Sequence, residues 1–227
     1  MNRSILGRLI AKDLYLYRWM IALALIAGAA SLALSRISSG DGVSTGMNLG
    51  MLLFITTIIT FGIFVAMVGI LKERQDKSQL FVLSLPLSAA QYSLSKVCSA
   101  LIAFLLPWVM LTAGVVLATA GSGGPAGGIP FFIVMMTFFL VTFCVLMSIV
   151  VITMSEVWAI AGILITNVSV TLFFFSVGRL PGIIGRAGES VAVWNPAILT
   201  MLGVEIAVIV LSVSLAIYLP SRRKDFI

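Results

Sequence analysis

The chain has 227 residues, 61% of them hydrophobic and only 10% charged, with a net charge of +6. Soluble domains carry about 25% charged residues, so this composition cannot cover a water-facing surface and marks a polytopic membrane protein. The complete absence of histidine excludes Ser-His-Asp catalysis, haem held by His and HExxH zinc sites. No basic patch with interleaved aromatics interrupts the apolar background, so the positive charge reads as membrane orientation and no nucleic-acid partner is expected.

The apolar runs are continuous where a spanning strand would alternate, so the expected fold is all-α. Along residues 3–18, Leu6, Ile10, Leu14 and Tyr17 fall on one helical face and Arg8 and Lys12 elsewhere. That pattern fits an N-terminal interfacial helix, and it fits equally a basic flank that only sets topology. Six spans of about 20 residues follow, at approximately 17–36, 49–71, 97–119, 129–153, 157–177 and 196–219. The first reads as a retained span, because its basic region is long and five spans come after it. The stretch from Ile129 to Val177 carries one charge, Glu156. As one helix it would be about 70 Å long, so it crosses twice, with the turn at Ser155 and Glu156. Asn195-Pro196 reads as an N-cap followed by Pro at N1, opening the last span.

With the N-terminus inside, the inner segments hold Arg3, Arg8, Lys12, Arg18, Lys72, Arg74, Lys77, Lys96, Arg222, Arg223 and Lys224, which is 11 of the 14 basic residues. The outer segments hold Arg36, Arg179 and Arg186. This asymmetry predicts a multi-pass protein of the cell (inner) membrane with both termini cytoplasmic. The outer connectors are Gly121–Pro130, a chargeless Gly/Pro turn, and Gly178–Pro196, whose Ile183, Ile184, Val191, Val193 and Trp194 suit the outer leaflet.

Few residues carry chemistry. Cys98 and Cys144 lie in apolar runs without metal-ligand spacing and read as small packing residues. No Gly-x-x-x-x-Gly-Lys-Ser/Thr run exists, so the chain binds no nucleotide by the P-loop route. Glu205 is the one carboxylate well inside a span, and Asn167 in the fifth span falls at a similar depth. A charge in lipid is expensive, which makes both candidates for a transport path, set against a structural partnership within the bundle. Pro107 interrupts the third span, while Gly62 with Gly69, and Gly114 with Ala118, offer small faces for close helix packing. Phe173, Phe174 and Phe175 end the fifth span in a core or interface role. The serines lack a base and the acids lack a paired partner, so no enzyme is expected.

One segment departs from this pattern. Residues 72–96, charged and centred on a proline, join spans two and three on the inner side. So long a polar connector in so apolar a chain implies that something docks there. Glu73-Arg74 follows span two, Leu83-Ser84-Leu85-Pro86-Leu87-Ser88 comes next, and Lys96 opens span three. With Lys12-Asp13 and Arg18 leading into the first span and six spans overall, the whole chain resembles the membrane subunits of ABC exporters in the six-span, ABC-2-like permease family.

That resemblance implies a fold of six transmembrane helices with an N-terminal interfacial helix, which carries Lys12, Asp13 and Arg18, and a cytosolic coupling helix between spans two and three. It implies a permease subunit, paired with itself or with a second permease among membrane lipids, and driven by a separate ABC ATPase subunit. Glu73, Arg74, Leu83, Leu85, Pro86, Leu87 and Ser88 would form the ATPase-coupling surface. No cofactor is expected on this chain, with ATP and Mg on the ATPase. Two features depart from the family pattern: the link between spans four and five is very short, which argues against a second coupling contact, and the outer domain is minimal, so a large capture site is not expected. The spans' low polarity favours an amphiphilic cargo such as a drug, lipid or hydrophobic peptide. The alternative is an ATP-independent, proton-coupled carrier or channel built on Glu205. A membrane scaffold or integral membrane enzyme is the third reading.

Overall fold

The computed structural model describes residues 3–38, 49–75, 89–121, 126–179 and 189–221. Six helices account for nearly all of them: α1 (Arg3–Ser38), α2 (Leu49–Gln75), α3 (Ala89–Gly121), α4 (Ile129–Thr153), α5 (Glu156–Val177) and α6 (Pro196–Ser221). A single 3₁₀ turn, Ala126–Gly128, leads into α4, and no strand occurs among the described residues. All six helices are long and apolar enough to cross a membrane. The chain is therefore an all-α, multi-pass membrane protein, and each expected span lies inside one helix.

Lipid offers no partner for a backbone amide, so each crossing closes its hydrogen bonds within itself. The polar side chains of the spans follow the same rule. Thr57 donates to the Leu53 carbonyl (2.7 Å), Thr112 to Trp108 (2.7 Å), Thr153 to Ile149 (2.7 Å) and Ser169 to Ile165 (2.8 Å), each one turn back.

Two boundaries differ from expectation. Residues 3–18 are not a separate interfacial helix but the first turns of α1, one unbroken helix of 36 residues. At about 1.5 Å per residue it is some 54 Å long, well beyond the roughly 30 Å hydrocarbon core. Nothing breaks it, because no Gly or Pro stop signal separates its basic and apolar halves. The 72–96 connector is shorter than it reads, since α2 runs to Gln75 and α3 starts at Ala89. The turn after α4 falls at Met154, in the left-handed region (φ 50°), and at extended Ser155, so that Glu156 opens α5. There its charge complements the helix dipole. Asn195 does cap α6: its Oδ1 accepts from the Ala197 amide at 3.4 Å, ahead of Pro196.

Successive helices run in opposite directions. The end where α1, α3 and α5 begin is called the basic end below, after the Lys and Arg residues that gather there. Helix α4 is the axis of the bundle, with 67% of its span buried against 17% for α1 and for α6. It packs on α2, α3, α5 and α6, whereas α1 lies against α2 and α3. Aromatic rings join the inner helices. Phe104 of α3 stacks on Phe143 of α4 (centroids 4.1 Å apart) and on Phe61 of α2 (6.2 Å), and Phe173 of α5 stacks on Phe138 of α4 (3.7 Å). Phe174 meets Phe131 edge-on, while Phe175 faces outward. The Trp108 indole donates to the Met136 carbonyl at 2.7 Å, one residue beyond Pro107, and ties α3 to α4.

Of the small-residue faces, Gly62 sits against Phe104 and Phe143 and Gly69 against Tyr17, whereas a Cβ added at Gly114 would meet nothing within 4 Å, and the Ala118 side chain lies outside the described ones. Cys144 is buried and Cys98 partly so, and neither forms a disulfide. At the far end the Gly127 amide donates to the Glu189 carbonyl (2.9 Å), fastening the α3–α4 turn to the segment before α6. In that segment Val191 and Trp194 are exposed, a placement suited to an interface.

Candidate functional site: the basic end of α1, α2 and α3

The spacing of polar residues on α1 sends them in three directions. Arg18 turns outward, with its guanidinium 3.9 Å from the centre of the Tyr15 ring and 5.4 Å from that of Trp19. These two rings are exposed, so the cluster has the make-up of a headgroup anchor. Lys12 is half exposed. Asp13 turns inward, onto the face shared with Tyr17 one turn later.

Asp13 meets α3. Lys96 Nζ lies 2.8 Å from Asp13 Oδ2, and the side chains of the two are only 7% and 4% exposed. The Ser99 hydroxyl, one turn along α3, is 3.1 Å from the same oxygen and 3.1 Å from the Lys96 carbonyl, and its single proton serves one of them at a time. The second carboxylate oxygen faces Lys12 Nζ at 4.0 Å. A charge can stay out of water only when paired and hydrogen-bonded in this way. Tyr17 meets α2: a Cβ at Gly69 would overlap its hydroxyl, so only glycine admits the ring there. One face of α1 thus touches both helices that flank the 76–88 connector.

Lys12, Asp13 and Arg18 therefore do different work, and only Asp13 enters the bundle. Glu73 and Arg74 lie in the last turn of α2, with side chains outside the described ones. Leu83, Leu85, Pro86, Leu87 and Ser88 lie outside the described residues. Ser99 and the Tyr17–Gly69 contact were not singled out from sequence. The available signal was an acid on an otherwise apolar helical face, which demands a cationic partner elsewhere in the chain.

The second pair of candidates is not brought together. Asn167 is exposed on α5, its amide donating to the Ile163 carbonyl at 2.9 Å. Glu205 is 5% exposed. It lies on the stripe of α6 that includes buried Ile198, Ser212 and Ala216. Ile198 shares a cluster with Val134, and the Ser148 hydroxyl reaches the Ser212 carbonyl at 2.8 Å, so α4 and α6 run parallel with a constant offset of 64 residues. That register sets Glu205 level with buried Val141. Among the described residues neither of its carboxylate oxygens has a hydrogen-bond partner.

Two spaces border the inner helices. An open groove of about 320 Å³ between α1 and α2 is lined by Leu23, Ala24, Ala27, Thr56, Thr60 and Phe61. A pocket of about 20 Å³ beside Gly62, Phe104 and Phe143 has room for one water. Among the described residues no group of three His, Cys, Asp or Glu side chains could hold a metal.

No curated protein and no solved structure matches the chain. A family model described as "ABC-2 family transporter protein" matches residues 8–221. That match takes in Asp13, Tyr17, Gly69, Lys96, Ser99 and all six crossings. ABC-2 membrane proteins are the permease components of transporters, not catalytic subunits, and they generally work with an ATPase partner. A six-helix membrane architecture and a family match along nearly its whole length together show that this chain belongs to the ABC-2 transporter family.

Proposed function

We propose that this chain is the transmembrane permease subunit of an ATP-driven exporter, working as a homodimer or beside a second permease and powered by a separate ABC ATPase that holds ATP and Mg. The family match over residues 8–221 carries the reading. The missing nucleotide motif and the basic asymmetry support it, the latter setting both termini and the 76–88 connector on the cytoplasmic side. Glu73 and Arg74 at the end of α2, with Leu83, Leu85, Pro86, Leu87 and Ser88 beyond, form the docking surface in this reading. Closure of the ATPase on ATP pushes that surface and shifts α2 and α3.

The proposed cargo is amphiphilic: a drug, a lipid or a hydrophobic peptide. The α1–α2 groove supports this, because its walls are apolar and the Thr56 hydroxyl is already within reach of the Leu52 and Leu53 carbonyls (3.1 and 2.9 Å). Such walls suit an acyl chain or a ring better than a hydrated sugar. Glu205 and Asn167 are proposed as polar points of the transport path.

The test is co-purification. The tagged chain, extracted in mild detergent, is expected to bring down a P-loop ATPase that Leu85→Asp and Leu87→Asp release. A wild-type chain that transports alone, or an ATPase that stays bound to both variants, refutes the reading.

A further inference from the structure

In sequence, residues 76–88 connect α2 to α3, and α1 packs on both of these helices near the ends that flank them. Gly69 is six residues from the end of α2, and Lys96 is seven residues into α3. Each is therefore about 10 Å along its helix from the connector. Asp13 binds Lys96 and Ser99 on one side, and Tyr17 seats on Gly69 on the other. The two α1 residues are one turn apart, so both contacts act on the same short stretch of helix.

Helix α1 is also gripped at its far end. A Cβ on Gly50 of α2 would fall on the backbone of α1, against the Ser31 carbonyl oxygen and the Ser35 amide nitrogen. Backbone-to-backbone contact at one end and a dry ion pair at the other leave an unbroken helix little freedom to slide. A rigid helix held in this way is able to carry a shift at the basic end to the far end.

We propose that the Asp13–Lys96–Ser99 cluster, with Tyr17 on Gly69, is a positioning latch that passes displacement of the α2–α3 connector to α1 and so to the opposite face of the bundle. The inference rests on the exporter reading above. Asp13 and Lys96 act here by fixing helix positions and touch neither ATP nor cargo.

The experiment uses the full chain with whatever ATPase co-purifies, in phosphatidylethanolamine–phosphatidylglycerol vesicles. The variants are Asp13→Asn, Lys96→Met and the swap Asp13→Lys/Lys96→Asp. A reporter cysteine replaces Leu34, a partly exposed residue near the far end of α1, after Cys98→Ser and Cys144→Ala. Maleimide labelling of this cysteine is timed with and without trapped Mg-ATP, and permease-stimulated ATP hydrolysis is measured alongside. The unaltered latch is expected to show a nucleotide-dependent labelling rate. Each single variant abolishes that dependence and lowers stimulation by about 5- to 150-fold, the range that coupling between sites usually spans. The swap restores much of both. A merely structural pair would lower the melting temperature without touching the nucleotide dependence.

Should Asp13→Asn fail to fold, the same readouts are taken on Ser99→Ala, expected to weaken the nucleotide dependence by removing one hydrogen bond to Asp13, and on Lys96→Arg, expected to retain it; an undiminished dependence in Ser99→Ala together with Lys96→Met overturns the proposal. Nucleotide-dependent labelling that survives in Asp13→Asn, or that the unaltered latch lacks, overturns the proposal while the exporter reading stands. No ATPase with the wild-type chain sinks that reading, and the latch falls with it.

Discussion

The buried pair between α1 and α3 makes a quantitative demand on stability that does not depend on transport. Lys96 Nζ and Asp13 Oδ2 are 2.8 Å apart, and the two side chains are 7% and 4% exposed. Exposed pairs of this kind contribute at most about 1 kcal/mol. Removing one partner of a buried pair costs about 3–5 kcal/mol, because the survivor is left charged and dry. Removing both for apolar side chains of similar size is about neutral, since the desolvation penalty disappears along with the attraction. Asp13→Leu and Lys96→Met are each expected to lose about 3–5 kcal/mol, and the double variant to lose about 1 kcal/mol or less. The coupling energy is then at least about 5 kcal/mol, above the range that contacting residues usually show. Reversible unfolding of the purified chain in mixed micelles, titrated with sodium dodecyl sulfate, measures all three. Single losses below about 1 kcal/mol, or a double loss equal to their sum, would show that water reaches the pair and would refute the reasoning.

Two further outcomes follow from the packing. Gly50→Ala places a methyl group on the backbone at Ser31 and Ser35, which no rotamer change relieves; a loss of about 1–3 kcal/mol is expected, read as a lowered melting temperature, and an unchanged melt refutes the close approach. Glu205 has no hydrogen-bond partner among the described residues, so Glu205→Leu is expected to stabilise the bundle by about 1–3 kcal/mol in the same unfolding assay. A destabilised Glu205→Leu protein would mean that the carboxyl is paired.

Much of the architecture was legible because lipid is an unforgiving solvent. A long apolar run can only be a helix there, so counting such runs yields the six crossings directly. The Asn195-Pro196 start and the break at Ser155 were readable for the same reason, since cap and turn signals are local. Residues 3–18 misled because amphipathic periodicity is identical whether a segment lies on a membrane or continues a span. The roles of Lys12, Asp13 and Arg18 split in a way that no spacing predicts. Lys12 and Asp13 are neighbours in sequence, yet one is half exposed and the other buried. Which of them turns inward depends on where α3 stands.

From the residues alone came the membrane setting, the six crossings, the lack of a P-loop motif and the resemblance to ABC-2 permeases, because composition and hydropathy are one-dimensional properties that lipid reads directly. The pairing of Asp13 with Lys96 and Ser99, 83 and 86 residues away, the seating of Tyr17 on Gly69 and the isolation of Glu205 on the inner stripe of α6 came from the packed bundle. These depend on how helices rotate and dock against one another, and apolar helices in lipid, with no water to drive them together, settle that by close contact of particular small and polar side chains.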